Sequence, residues 1–232
     1  MPRWSTRTGW SIPAAWALAY FTGCGTAPAV RPPVATVAHA QGTLEYRVDA
    51  EATQLWLYVG ADGPLARLGH HHVIISHGLR GTIWWHSQLE RSGCELQITV
   101  DEFVVDDPKE RAAAGPEFSK PIDDDARLGT REHMLGERQL DAVRTPYVSL
   151  RCHHISSTPG GLILRLKVTL RGHESEMLVP LTLERTEKTL QASGAFSFKQ
   201  TDFGLEPYSA LLGALRVQDE IRARVHLVAR QP

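Results

Sequence analysis

From Thr43 onward, apolar side chains recur at every second position, and that period leaves few options for the fold. Leu55, Leu57 and Val59 alternate with Trp56 and Tyr58, and Cys94, Leu96, Ile98 and Val100 alternate with Glu95, Gln97, Thr99 and Asp101. Leu162, Leu164, Leu166, Val168 and Leu170 alternate with Arg165, Lys167, Thr169 and Arg171, and Ile221, Ala223, Val225 and Leu227 alternate with Arg222, Arg224 and His226. Successive side chains of a strand point to opposite faces, so one apolar and one polar face marks antiparallel strands around a single core. Val73, Ile75, Leu79, Ile83 and Trp85 share one parity across a long segment, with Gly78 and Gly81 as bulge or bend points. Turn signals at residues 61–64, 91–93 and 159–161 favour an up-and-down meander, and closure into a barrel removes its exposed edges.

Two stretches break the period. Residues 108–114 begin with Pro108 behind Asp106 and Asp107, and residues 123–136 open on Asp123, Asp124 and Asp125 and end at Gly136. Proline at a first helical position, acids in a first turn and a terminal glycine predict two helices in one long insertion between strands ending near Asp106 and starting near Tyr147. A third short helix is expected over residues 207–215.

The N-terminus reads as an export segment. Arg3 and Arg7 precede residues 10–23, which are free of charge and hold a small-residue and aromatic core, the length of a signal-peptide apolar region. The segment ends in Phe21-Thr22-Gly23-Cys24, which resembles a bacterial lipobox with Cys24 as the lipidated residue; a plain signal peptide cut near Ala38-His39-Ala40 is the alternative. Residues 1–24 are then the signal segment, residues 25–42 a tether rich in Pro and Ala, and residues 43–230 the barrel domain. The expected location is the periplasm, with the protein held at the envelope membrane by a lipid on Cys24.

Composition narrows the function. Apolar residues make up 42% of the 232 and the formal net charge is −1, which supports a full core and gives no basic field for nucleic acid. No apolar run reaches the roughly 20 residues of a spanning helix. There is no Gly-x-Ser-x-Gly elbow and no phosphate loop, so the expectation is a binding protein rather than an enzyme.

Cys94 and Cys152 share parity with apolar neighbours and lie on strands that could pair. They form either a disulfide, which an exported compartment permits, or two buried thiols. Of eleven histidines, His70, His71, His72 and His77 fall in one segment. On a strand His70 and His72 share a side, about 7 Å apart. With His154 or His133 they could hold zinc, copper or nickel; as solvated or ligand-contacting residues they need no metal. A metal-binding or redox-linked periplasmic protein is therefore the competing class.

The order of features resembles the YceI-like family of bacterial periplasmic polyisoprenoid-binding proteins, over about residues 44–229. Four pieces carry the resemblance. They are Tyr46-Arg47-Val48-Asp49; Arg131-Glu132-His133-Met134-Leu135 with Thr145-Pro146-Tyr147-Val148; Leu166 to His173 with Val179-Pro180-Leu181; and Phe196-Ser197-Phe198-Lys199 through Asp202-Phe203-Gly204-Leu205. Leu68-Gly69-His70-His71-His72-Val73 resembles a subgroup with a Gly-His-x-His segment. The resemblance implies an all-β, antiparallel, lipocalin-like barrel with a helical insertion, enclosing a long-chain isoprenoid or similar amphiphile. Periodicity alone leaves open whether the inward set packs as a solid core or lines a cavity. Leu57, Val73, Ile75, Leu96, Ile98, Leu164, Leu166, Phe196 and Phe198 are the candidate ligand contacts, with Arg131, His133 and Lys199 for a polar head. No cofactor beyond such a lipid is implied, and a homodimer stays open.

Overall fold

The computed structural model describes residues 41–232. The signal segment, Cys24 and all but the last two residues of the tether lie outside the described residues. In chain order the strands are β1 (Leu44–Val48), β2 (Gln54–Asp62), β3 (His72–Ser76), β4 (Leu79–Trp85), β5 (Gly93–Thr99) and β6 (Phe103–Val105). The helices α1 (Pro108–Ala114) and α2 (Asp124–Leu135) follow. The remaining strands are β7 (Tyr147–Thr158), β8 (Gly161–Leu170), β9 (His173–Arg185), β10 (Thr189–Lys199), β11 (Ser209–Ala210) and β12 (Leu215–Arg230).

The sheet order β1-β4-β5-β7-β8-β9-β10-β12 closes on itself through Arg47 opposite Arg230 and Val48 opposite Ala229, making an eight-stranded antiparallel barrel. The lower half of β12 pairs with β2, β2 with β3, and β3 with β6. So β1 with β2, β3 with β4, and β5 with β6 are three barrel strands, each broken once. At the first break the Thr53 hydroxyl donates to the Val228 carbonyl (3.2 Å) and accepts the Val228 N–H (3.0 Å), standing in for the missing ladder. At the second, the Gly78 N–H donates to Ser76 Oγ (2.9 Å). The third is the 3-10 turn Val100–Glu102.

Each break changes which parity faces inward, as an inserted bulge residue must. Leu79 and Ile83 of β4 face the core, but in β3 the inward residues are His72, Ile74 and Ser76, paired across to Val59, Leu57 and Leu55. Val73 and Ile75 therefore face outward, contrary to the single parity expected across residues 73–85. They are buried there under the insertion, with Phe118, Trp56 and Tyr58. At Gly81 (φ +138°) a side chain would meet the Glu95 carbonyl, so the close approach of β4 and β5 requires glycine.

Both insertion helices form where expected. Asp107 caps α1, accepting from the N–H groups of Lys109 and Glu110, and Asp123 caps α2, accepting from Ala126 N–H. Of the third expected helix only the 3-10 turn Leu211–Gly213 forms. Residues 209–210 pair with β12 instead, and Leu211 and Leu212 take positive φ (51° and 55°), which an α-helix cannot accommodate. Cys94 and Cys152 are register partners on β5 and β7 with Cα atoms 4.8 Å apart, and they are joined as a disulfide.

Candidate functional site

The barrel interior is not filled. A cavity of about 510 Å³ lies at the end covered by α2, and a second of about 150 Å³ lies toward the opposite end. Leu55, Ile98, Leu150, Leu166 and Phe196 border both, so the two are successive parts of one apolar slot. The larger part alone is within the ~300–1,000 Å³ usual for small-molecule sites. Its polar lining residues are His72, Thr130, His133, Gln139, Gln200 and Tyr208, contributed by the start of β3, by α2 and by the segments after α2 and β10. The deeper lining is wholly apolar, and no Asp, Glu, Lys or Arg borders either part.

Leu57, Ile98, Leu166, Phe196 and Phe198 border the larger part, and Leu96 and Leu164 the smaller. His133 sits at the rim, its Nδ1 donating to the Gly129 carbonyl (2.7 Å) and its ring 5.2 Å from that of Tyr208. Arg131 is not a lining residue. Its guanidinium turns outward to the Asp101 carbonyl (2.7 Å), the Asp101 carboxylate (2.8 Å) and the Phe103 carbonyl (3.3 Å), tying α2 to β6. Lys199 is exposed at the head of the turn Gln200–Phe203. Val73 and Ile75 are removed from the site by the parity change in β3.

The candidate contacts omitted Ile74, which the same parity change brings inward, and also Val59, Met177, Phe203 and Tyr208. His72, open in the sequence between a metal ligand and a solvated or ligand-contacting residue, is held by a carboxylate. The carboxyl group of Asp106, with no exposed surface, places one oxygen 2.6 Å from His72 Nδ1. The other oxygen accepts from Val73 N–H (2.9 Å) and Arg111 Nη1 (2.6 Å). Arg111, itself buried, also donates to the carbonyls of His71 (2.6 Å), Phe118 (2.6 Å) and Lys120 (2.9 Å). One guanidinium thus fastens the insertion to the start of β3. Burial of Asp106 opposes its ionisation, but the hydrogen bonds from His72, the Val73 N–H and Arg111 outweigh it and hold the carboxyl below its ordinary range.

His70 and His72 have ring centroids 6.3 Å apart, and Asp106 already engages His72 Nδ1. Among the described residues no group of three or more His, Cys, Asp or Glu side chains is gathered closely enough to hold a metal ion.

A family profile described as "YceI-like domain" matches residues 46–229. Two solved structures share the fold. BcnA from Burkholderia cenocepacia is 14% identical with a TM-score of 0.55, over 78% of this chain and 98% of that one. A polyisoprenoid binding domain from Saccharophagus degradans, described as implicated in plant cell wall breakdown, is 14% identical with a TM-score of 0.53, over 82% and 99%. No curated protein sequence matches significantly.

Proposed function

The chain belongs to the YceI-like family, and from that premise we propose that it binds and sequesters or carries a long-chain apolar molecule, of polyisoprenoid or similar amphiphilic type, in the cell envelope. The observation that carries this reading is the slot itself: apolar along its depth, with its polar side chains gathered at one end. An apolar tail gains roughly 25 cal/mol for each Å² it removes from water, and a polar head left at the rim keeps its hydrogen bonds. The relative described as a polyisoprenoid binding domain supports the choice of ligand class. The envelope location is supported by the charge-free segment at residues 10–23 and by the Cys94–Cys152 disulfide, which suits an oxidising compartment. In this reading Cys24 carries the lipid that holds the protein at the membrane, with residues 25–42 as its tether.

Native mass spectrometry on the full chain, exported by its own N-terminal segment and purified without detergent, tests the reading. The expected result is a bound mass of several hundred daltons that is lost on denaturation and passes into organic solvent. A bare polypeptide mass, from protein that also takes up no added isoprenoid, overturns it.

A further inference from the structure

Among the described residues, a ring nitrogen at the polar end of the slot has no hydrogen-bond partner. His72 opens β3 opposite Val59, and the next inward layers are Ile74 with Leu57 and Ser76 with Leu55. These layers are spaced by about 7 Å. An extended chain leaving His72 therefore runs past Ile74 and Leu57 toward Leu166 and Phe196. The His72 side chain is 17% exposed and borders the cavity.

Asp106 fixes which ring nitrogen is available. Its carboxylate has no proton to give, so at 2.6 Å it must accept from His72 Nδ1–H. In the neutral ring Nε2 then carries the lone pair. Among the described residues no hydrogen bond engages Nε2. The charge around it is already balanced, because Arg111 lies 2.6 Å from the same carboxylate. No Asp, Glu, Lys or Arg borders the cavity, so an ionised head would lose its hydration without gaining a counter-charge. A hydroxyl group can reach the same place at little cost and donate its proton to Nε2.

We propose that Nε2 of His72 is the head-group acceptor of the barrel and selects an apolar chain ending in a neutral hydroxyl, of the prenol or phenol class. The inference rests on the carrier reading above and gives it a chemical specificity. The Asp106 carboxylate is a positioning group: it orients the ring and fixes its tautomer without touching the ligand.

The test uses the full-length delipidated protein and three probes: geranylgeraniol, its methyl ether and its monophosphate, each titrated against tryptophan fluorescence. The wild type is expected to bind the alcohol about tenfold more tightly than the ether, the cost of leaving one buried polar group unpaired, and to bind the phosphate more weakly than the alcohol. In His72→Phe the alcohol falls to the affinity of the ether, which itself is retained; in His72→Gln, whose amide oxygen can accept, part of the preference returns. Equal binding of alcohol and ether by the wild type, or a preference for the phosphate, overturns the inference with the carrier reading intact. Failure of the folded wild type to bind any of the three overturns both. The comparison of alcohol with ether in the wild type does not depend on any variant folding.

Discussion

At the α2 end the barrel interior opens into the 510 Å³ cavity with its six polar lining residues, whereas toward the opposite end it narrows to 150 Å³ between Trp85, Leu183 and Leu190. The narrow end is fastened by the strands themselves. The Cys94–Cys152 disulfide crosses from β5 to β7, and the Arg185 guanidinium lies 5.3 Å from the Trp85 ring and donates to the buried Tyr46 hydroxyl (3.2 Å). The wide end is fastened by an insertion that is not part of the barrel, through Arg111, Asp106 and the Trp56 indole N–H to Glu110 (2.7 Å). Strands joined by ladders and a covalent bond part only if the sheet unfolds, whereas a docked helix can move while the sheet stays whole; on the carrier reading proposed above, this favours entry at α2.

Breaking the two fastenings separately should give different phenotypes. The largest loss is expected from Arg111→Met, which leaves the Asp106 carboxylate buried without its guanidinium; about 3–5 kcal/mol of stability should go. Hydrogen exchange should rise first over residues 106–120, together with a loss of isoprenoid affinity. Unchanged exchange there would remove the ionic fastening from the comparison. Replacing Cys94 and Cys152 by Ala should cost about 2–4 kcal/mol, seen as a Tm lower by roughly 5–15 °C. Both cysteines border the narrow part, but alanine keeps that lining apolar and the polar rim is untouched, so isoprenoid affinity should stay within a few-fold. Equal loss of affinity in both variants would mean that the ends are not independent. A milder change in the shared wall, Leu166→Trp, should lower isoprenoid affinity by at least about tenfold while costing only about 1–3 kcal/mol in stability. Affinity unchanged in that variant would move the ligand out of the slot.

The same division explains what could be read from the chain. Strands of unbroken parity, β5, β8 and the upper half of β12, were legible, because one period sets one face. The helices were legible from Asp107, Pro108 and Asp123, whose capping bonds are made within three residues. Cys94 and Cys152 were legible as partners because both shared parity with the core. The failures lie where a distant contact decides. The Ser76-His77-Gly78 break reverses the faces of β3 against β4, and so Val73 and Ile75 exchange places with Ile74 and His72. Nothing local in Gly69-His70-His71-His72 points to a carboxylate 34 residues later, so the sequence leaves the cluster open between a metal site and solvated or ligand-contacting histidines. Arg131 carries the charge of a head-group ligand, but helix geometry turns it to the Asp101 backbone. The glycine and leucines of residues 211–213 carry no signal that outranks the pairing of Ser209 and Ala210 with β12.

The smallest effect concerns acid, and at the wide end it centres on Asp106 and His70. The Asp106 carboxyl is held below its ordinary value of 3.8, so its contribution to stability is complete above that value and is lost as pH falls through the depressed one. His70, beside it, is held below 6.5 by burial and by the charges of Lys120 and Arg111. The unfolded chain therefore takes up that proton more readily than the folded one, and stability begins to decline as pH drops below 6.5. The first decline should be shallow, since His70 is largely open to screening by solvent. Thermal melts of the wild type and of Asp106→Asn between pH 7 and pH 3 separate the two. The wild type should be the more stable at neutral pH, and its lead should shrink only below about pH 4, as the carboxylate takes its proton. The disulfide-free variant should follow the wild-type pH profile, displaced downward by a constant amount, because neither cysteine senses this network. A lead for the wild type that is independent of pH down to 3 would mean that Asp106 acts through its shape and not its charge, and the wide end would then be fastened, like the narrow one, by packing.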